Sequence, residues 1–243
     1  MWMTVLRNTS IRQTVGNYLS DFWGLFFPNT CCGCGNHLVK GERILCLTCL
    51  HDMPYTDFHL QDDNVIAKRF WGRAEVHAAT ALLHFQKGNK VQQLIHQLKY
   101  NERDDVGVYL GEIMGKQLKH ADAFKDVALV VPVPLHWRKK LKRGYNQSAC
   151  FAQGIATEMS IETSTDLLQR ARHTQTQTKK TREERWLNVK DVFALSNPEK
   201  HQGKHILLVD DVVTTGATLE ACAQALLQIP GARVSIATIA VAE

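Results

Sequence analysis

Along the second half of the chain, short apolar runs alternate with amphipathic stretches. "VALVVPV" (127–133), "DLLQR" (166–170), "VFAL" (192–195), "HILLVD" (205–210) and "ARVSIATIAVA" (232–242) predict strands. Between them, "SACFAQGIATEM", "REERWLNV" and "ATLEACAQALLQ" carry helical spacing. Buried strands joined by helical crossovers predict an α/β fold: a parallel sheet covered by helices on both faces, with ligands at the carboxyl ends of its strands. The loops to inspect therefore follow residues 133, 170 and 210. Upstream, "VQQLIHQLKY" and "VGVYLGEIMGKQL" read as amphipathic helices and "RAEVHAATALLHF" as a strand pair. Ile11, Val15, Tyr18, Leu19, Phe22, Trp23 and Phe26 form one apolar stripe at helical spacing, expected to be a docking helix. The organisation expected is 1–60 as a helix with a cysteine module, 61–125 as a helical cap or connector, and 126–243 as the α/β domain.

Composition changes this picture little. A chain of 243 residues with formal net charge +5 is ordinary in size and modestly basic, compatible with an anionic small ligand or with nucleic acid. Arg7, Arg12 and Asp21 interrupt the N-terminal apolar residues, so no membrane span is expected and the cytoplasm is the expected location.

Cysteine usage does change it. Five of the seven cysteines fall in residues 31–49. In "CCGCGNHLVKGERILCLTC", Cys31 and Cys34 are separated by two residues, as are Cys46 and Cys49. Two such turns can aim four thiolates at one point, the pattern of a closed, structural zinc site that leaves no position for catalysis. Cys32 is expected to be a spectator, with Cys32 or His37 as a substitute for one thiolate. A redox pair or plain reduced thiols are the alternatives. Cys150 and Cys222 lie in apolar helical contexts and read as core residues.

The stretch "HILLVDDVVTTGATL" (205–219) concentrates chemistry at one strand end. Asp210 and Asp211 close the apolar strand, and Thr214, Thr215, Gly216, Ala217 and Thr218 form a turn feeding a helix. Amides and hydroxyls at such a turn suit a phosphate monoester, with Gly216 allowing close backbone approach. The carboxylates would repel a phosphate beside them but suit sugar hydroxyls, or nearby Mg2+, one sugar-length away. A phosphorylated ribose satisfies both ends. A capped helix start beside an exposed strand end is the bland alternative. A receiver domain would place most of its fold after this strand, and a nucleotide-hydrolase strand would need a P-loop that the chain lacks.

"HWRKKLKRGYNQ" sets Arg138, Lys139, Lys140, Lys142 and Arg143 beside Trp137 and Tyr145. These could neutralise a diphosphate, hold a nucleic-acid backbone with the aromatics as stacking platforms, or form a solvated basic turn. The polar run "RARHTQTQTKKTREER" reads as a flap in which Arg170, Arg172 and Lys179 either close over a diphosphate or remain surface residues.

"ILLVDDVVTTGATL" resembles the signature of type I phosphoribosyltransferases. With "CCGC…CLTC", "VVPVPLHWRKKLKRGYNQ" and "LLQRARHTQTQTKKTREERWLNVKDVF", nearly the whole chain is similar to the ComF family of competence-associated proteins. The resemblance implies binding of 5-phosphoribosyl 1-diphosphate (PRPP) with Mg2+. Asp210 and Asp211 would face the ribose hydroxyls and Thr214 to Thr218 the 5-phosphate. The turn containing Pro134, Leu135, His136 and Arg138 would occupy the diphosphate-loop position, with 172–188 as the mobile flap. It also implies a role in DNA uptake or DNA utilisation, with single-stranded DNA and competence proteins as partners, or else phosphoribosyl transfer to a nucleobase or amine.

Overall fold

A computed structural model describes residues 29–170 and 192–242. The expected N-terminal docking helix, the helix in "REERWLNV" and the flap with Arg172 and Lys179 lie outside the described residues. The chain divides after Asp52 into two compact units. The described part of the first is the cysteine segment, in which two turns precede a short helix, α1 (Leu47–His51), capped by the Cys46 side chain.

The second unit is built on a five-stranded sheet. Its strands are β1 (Ala79–Phe85), β2 (Leu129–Pro132), β3 (Glu162–Thr163), β6 (His205–Val213) and β7 (Arg233–Ala242). They run in the order β1-β7-β6-β2-β3, every pairing parallel. The central strand β6 is apolar on both faces, and Ile206, Leu207, Leu208 and Val209 are all fully buried, as a parallel strand between helical layers requires. The helices are α2 (Val65–Lys68), α3 (Lys90–Tyr100), α4 (Asp104–Leu118), α5 (Trp137–Arg143), α6 (Gln147–Met159) and α7 (Ala217–Leu226).

Helices α4 and α6 meet at their glycines. A Cβ on Gly111 would sit 2.3 Å from the Phe151 carbonyl oxygen, and one on Gly154 would sit 2.1 Å from that of Val108. Only hydrogen at both positions permits this backbone approach, which seats α6 against β2 and β6.

Three expectations need correction. "RAEVHAATALLHF" forms one strand, β1, paired in parallel with β7 from Ala79↔Ile236 to Phe85↔Ala242. It contains no glycine, proline or asparagine to reverse the chain into a hairpin. The predicted strands β4 (Leu168–Arg170) and β5 (Phe193–Leu195) pair antiparallel with each other instead of joining the parallel sheet. The position beside β2 is taken by β3, and Ser164 N–H donates to the Val130 carbonyl at 2.9 Å where the chain leaves it. The basic turn is instead a helix, α5, begun by the His136 ring accepting from Arg138 N–H at 3.2 Å and ended at Gly144. Among the described residues, no helix is long and apolar enough to cross a membrane.

Candidate functional site

Strands β2 and β6 are neighbours whose connections leave in opposite directions. From β2 the chain crosses through α5 and α6 to β3, while from β6 it crosses through α7 to β7. Parallel sheets open a crevice at such a point, beyond the carboxyl ends of the two strands. Pairing of β6 with β2 ends at Pro132↔Val209, whereas pairing with β7 continues to Val213↔Val241. Asp210 and Asp211 therefore stand where β6 has lost one neighbour, and Pro134, Leu135 and His136 leave β2 on the facing side.

The acid pair is held on several sides. Asp210 Oδ1 accepts from Ser148 Oγ at 2.9 Å and from Asp211 N–H at 2.8 Å. Asp211 Oδ1 accepts from Val212 N–H at 2.6 Å, and its Oδ2 is ion-paired with Lys99 Nζ at 2.8 Å. Burial, then the Asp211 charge, push the Asp210 carboxyl up to about 7, against the stabilising bonds from Asp211 N–H and Ser148.

Thr214, Thr215, Ala217 and Thr218 are exposed and Gly216 is buried in the turn that starts α7. Gly216 has φ 80°, and a Cβ there would meet the Phe70 ring at 3.3 Å, so both backbone and space require glycine. Two arginines tie the turn's carbonyls back. Arg69 donates to the carbonyls of Thr214 and Ala242, the latter at 2.9 Å, and Arg73 donates weakly to that of Thr215 at 3.5 Å while pairing with Glu220. With those carbonyls engaged, the turn presents its hydroxyls and the N-terminal end of α7, groups that can donate to an anion, with only a weak bond from Ala217 N–H to Thr215 Oγ1 at 3.5 Å among them.

Helix α5 projects from the facing loop. Trp137 is 52% exposed and Leu141 77%, Arg138, Lys139, Lys140 and Lys142 are all exposed, and Arg143 is half-buried. Trp137 stacks on His136, ring centroids 5.9 Å apart, and lies 5.2 Å from the Arg138 guanidinium. Arg170, at the end of β4, lies over the Phe193 ring at 5.6 Å. Among the described residues it makes no hydrogen bond or ion pair with Asp210 or Asp211. Ser148, Lys99, Arg69, Arg73 and Phe70 were not anticipated. Ser148 directly follows "RGYNQ", a usable signal, whereas nothing local marks the others.

In the first unit, the Sγ atoms of Cys31, Cys34, Cys46 and Cys49 all lie within 4.8 Å of one another and could hold a metal ion. Cys34 Sγ and Cys46 Sγ are 3.8 Å apart. A tetrahedral ion bound at about 2.3 Å to each sulfur spaces them by about 3.8 Å. Backbone N–H groups already point at the sulfurs, from Gly33 and Cys46 to Cys31 and from Cys49 to Cys46. Burial opposes ionisation of Cys31, but these amides outweigh it and bring its thiol down to about 7, while burial and the neighbouring thiols push Cys49 up. His37 takes part in a backbone bridge with Thr30 and is not among the clustered groups. Cys222 is buried and Cys150 half-buried, both with thiols raised chiefly by burial, in keeping with packing roles.

Residues 146–242 match the family model described as "Phosphoribosyl transferase domain". The chain is 30% identical over 218 residues to the "DNA utilization protein YhgH" of Escherichia coli (strain K12), covering 88% of each protein. It is 27% identical over 140 residues to the "Competence protein F" of Haemophilus influenzae, over 56% of this chain and 61% of that one. A solved structure of the adenine phosphoribosyltransferase from Leishmania tarentolae is similar at a TM-score of 0.35 and 12% identity, over 75% of this chain and 89% of that one. By the family match, the larger unit carries a phosphoribosyltransferase-type α/β domain over residues 146–242. By its relatedness to YhgH over nearly its full length, the chain belongs to the ComF family.

Proposed function

We propose that this protein binds PRPP across the crevice between β2 and β6 and serves DNA utilisation or uptake. The observation that carries the reading is the pairing, at one strand end, of a fixed acid pair with an exposed, hydroxyl-rich turn whose carbonyls are tied back by Arg69 and Arg73. Ribose hydroxyls donate to Asp210 and Asp211, and Thr214, Thr215, Gly216, Ala217 and Thr218 hold the 5-phosphate. Pro134, Leu135, His136 and Arg138 are the residues we assign to the diphosphate, with Arg170, Arg172 and Lys179 as further candidates by sequence. The acid pair offers the hard oxygen donors that Mg2+ prefers, although three of its four oxygens already have partners. Mg2+, if bound with the diphosphate, would neutralise part of that group's charge. Calorimetric titration of the full chain with PRPP and Mg2+ tests the reading directly: saturable binding is expected, and its absence rejects it.

Single-stranded DNA is the second ligand. The names of the relatives concern DNA utilisation and competence. The observation favouring contact here is the surface of α5, where Arg138, Lys139, Lys140, Lys142 and Arg143 flank an exposed Trp137. Binding to an oligonucleotide that falls steeply with salt, and falls further in Lys139→Ala plus Lys140→Ala, is the expected result. Equal binding by the variant would move the DNA surface elsewhere. The family relationship also makes competence proteins candidate partners and the cytoplasm the working compartment. Phosphoribosyl transfer to a nucleobase or amine is the alternative activity, favoured by the matched domain's name. In transfer, Asp210 and Asp211 would offset charge developing on the sugar as diphosphate leaves. Diphosphate release in the presence of candidate acceptors distinguishes transfer from binding alone.

Zinc is the ion we assign to Cys31, Cys34, Cys46 and Cys49, as a structural element. Chelation should then unfold residues 31–49 while hydrogen exchange of the sheet in the second unit stays unchanged. Simultaneous loss of protection in β6 and β7 would contradict a separate module.

A further inference from the structure

The acid pair has a cation that no motif announces. Lys99, in the last turn of α3, pairs with Asp211 Oδ2 at 2.8 Å, and both side chains are largely buried. That turn is held in reach by the segment following α5. The Tyr145 hydroxyl donates to the Leu98 carbonyl. The Arg143 guanidinium lies 5.7 Å from the Tyr100 ring centre while donating to Gln147 Oε1 at 2.8 Å. Asn146 Nδ2 donates to the Val133 carbonyl at 3.0 Å, and Ser148 reaches Asp210. Residues 143–148 thus connect α3, the loop after β2 and the acid pair.

Two adjacent carboxylates repel a ligand that carries phosphoryl groups, and in a half-buried crevice this repulsion is weakly screened. A divalent ion can cancel it, but three of the four carboxylate oxygens are committed to Ser148, backbone N–H groups and Lys99. Asp210 Oδ2 is the one without a partner among the described residues. Lys99 removes one negative charge where the ribose would lie, and it fixes the orientation of Asp211.

We infer that Lys99 is a positioning residue that stands in for a divalent cation at the acid pair, so that this chain recognises a ribose phosphate without metal at those carboxylates. The inference rests on the PRPP reading. The probe is ribose 5-phosphate, which lacks the diphosphate that would bring its own Mg2+, titrated into the full chain in EDTA and in millimolar Mg2+. Wild-type affinity should change by less than about threefold between the two conditions, whereas Lys99→Met should weaken binding by about tenfold in EDTA and recover most of it in Mg2+. Lys99→Arg should stay within about threefold of wild type in EDTA. Tyr145→Phe, which loosens α3 but keeps the lysine, should show the Lys99→Met pattern at about threefold and guards against a misfolded Lys99 variant.

A Lys99→Met affinity in EDTA equal to or tighter than wild type overturns the inference. So does a loss that Mg2+ does not restore, or a wild-type dependence on Mg2+ above about tenfold. If wild type binds neither ribose 5-phosphate nor PRPP in either condition, the ligand reading itself fails, a result distinct from each of these.

Discussion

The two ends of strand β6 carry the same kinds of polar groups and treat them in opposite ways. At the N-terminal end, His205 is 2% exposed and Ser235 fully buried. His205 Nδ1 lies 2.7 Å from Asp126 Oδ1 and Nε2 lies 2.8 Å from Ser235 Oγ, while Arg233 also pairs with Asp126. Asp126 accepts, so Nδ1 carries the proton and Nε2 accepts from the serine hydroxyl. Burial alone would raise Asp126, but the bonds from His205 and Arg233 bring it down to about 2, and burial lowers His205. Although an Asp, a His and a Ser stand in line there, the serine has no access to a substrate, and both ring nitrogens of His205, both carboxylate oxygens of Asp126 and the Ser235 hydroxyl are hydrogen-bonded. At the C-terminal end, Asp210 keeps an oxygen without a partner among the described residues and a carboxyl raised to about 7 beside an open, exposed turn. A polar cluster closed on itself fastens a fold. One left open at a cost to the fold is what the proposed ligand site requires.

Substitutions at the two ends should therefore separate binding from stability. The largest effect expected is on ligand affinity: Asp210→Ala plus Asp211→Ala should weaken PRPP binding by at least about a hundredfold, since two charge-assisted acceptors for the ribose are lost. Circular dichroism should show the fold unchanged, and retained affinity in the calorimeter would break the assignment of the open end. At the closed end, His205→Ala leaves Ser235 and Asp126 without their shared partner and should cost about 2 kcal/mol in denaturant unfolding, with PRPP affinity unaltered. A comparable loss of PRPP affinity would mean that the two ends act as one.

The closed end also has a pH signature. His205 titrates below its ordinary value of 6.5 in the folded chain and Asp126 below its ordinary 3.8, so for both the unfolded state binds more protons. Their contribution to stability should be complete above pH 6.5, fall as His205 is forced to protonate, and fall again between 3.8 and about 2. In His205→Ala the first of these losses should vanish from the stability profile.

The open end was far more legible in the sequence than the closed one. Asp210, Asp211 and the threonine turn lie within nine consecutive residues, and their chemistry is local. The buried strands β2, β6 and β7 were equally plain, because burial on both faces leaves an unbroken apolar run. The four-cysteine cluster was written in its spacing. By contrast, β4 and β5 were placed in the wrong sheet, since a three-residue strand does not encode its partner. Lys99 was invisible because it looks like any polar residue on an amphipathic helix and gains meaning only where α3 meets the end of β6. His205 on β6, Ser235 on β7 and Asp126 in the turn before β2 are far apart in sequence and share no motif.

The smallest predicted effect has the opposite sign at the open end. Asp210 titrates near 7 in the folded chain against an ordinary 3.8, so here the folded state binds the extra proton and stability falls as pH rises from about 4 to 7. Asp210→Asn keeps an oxygen to accept from Ser148 and from Asp211 N–H but cannot ionise. In the ligand-free chain with EDTA it should raise Tm by about 2–4 °C at pH 7.5, a gain of about 1 kcal/mol, and the gain should fade toward pH 4. The variant would be more stable where it binds less well, whereas His205→Ala would be less stable and bind equally. If Asp210→Asn instead lowers Tm at pH 7.5, the carboxylate is fastening the fold as the histidine does, and the two ends of β6 no longer differ in kind.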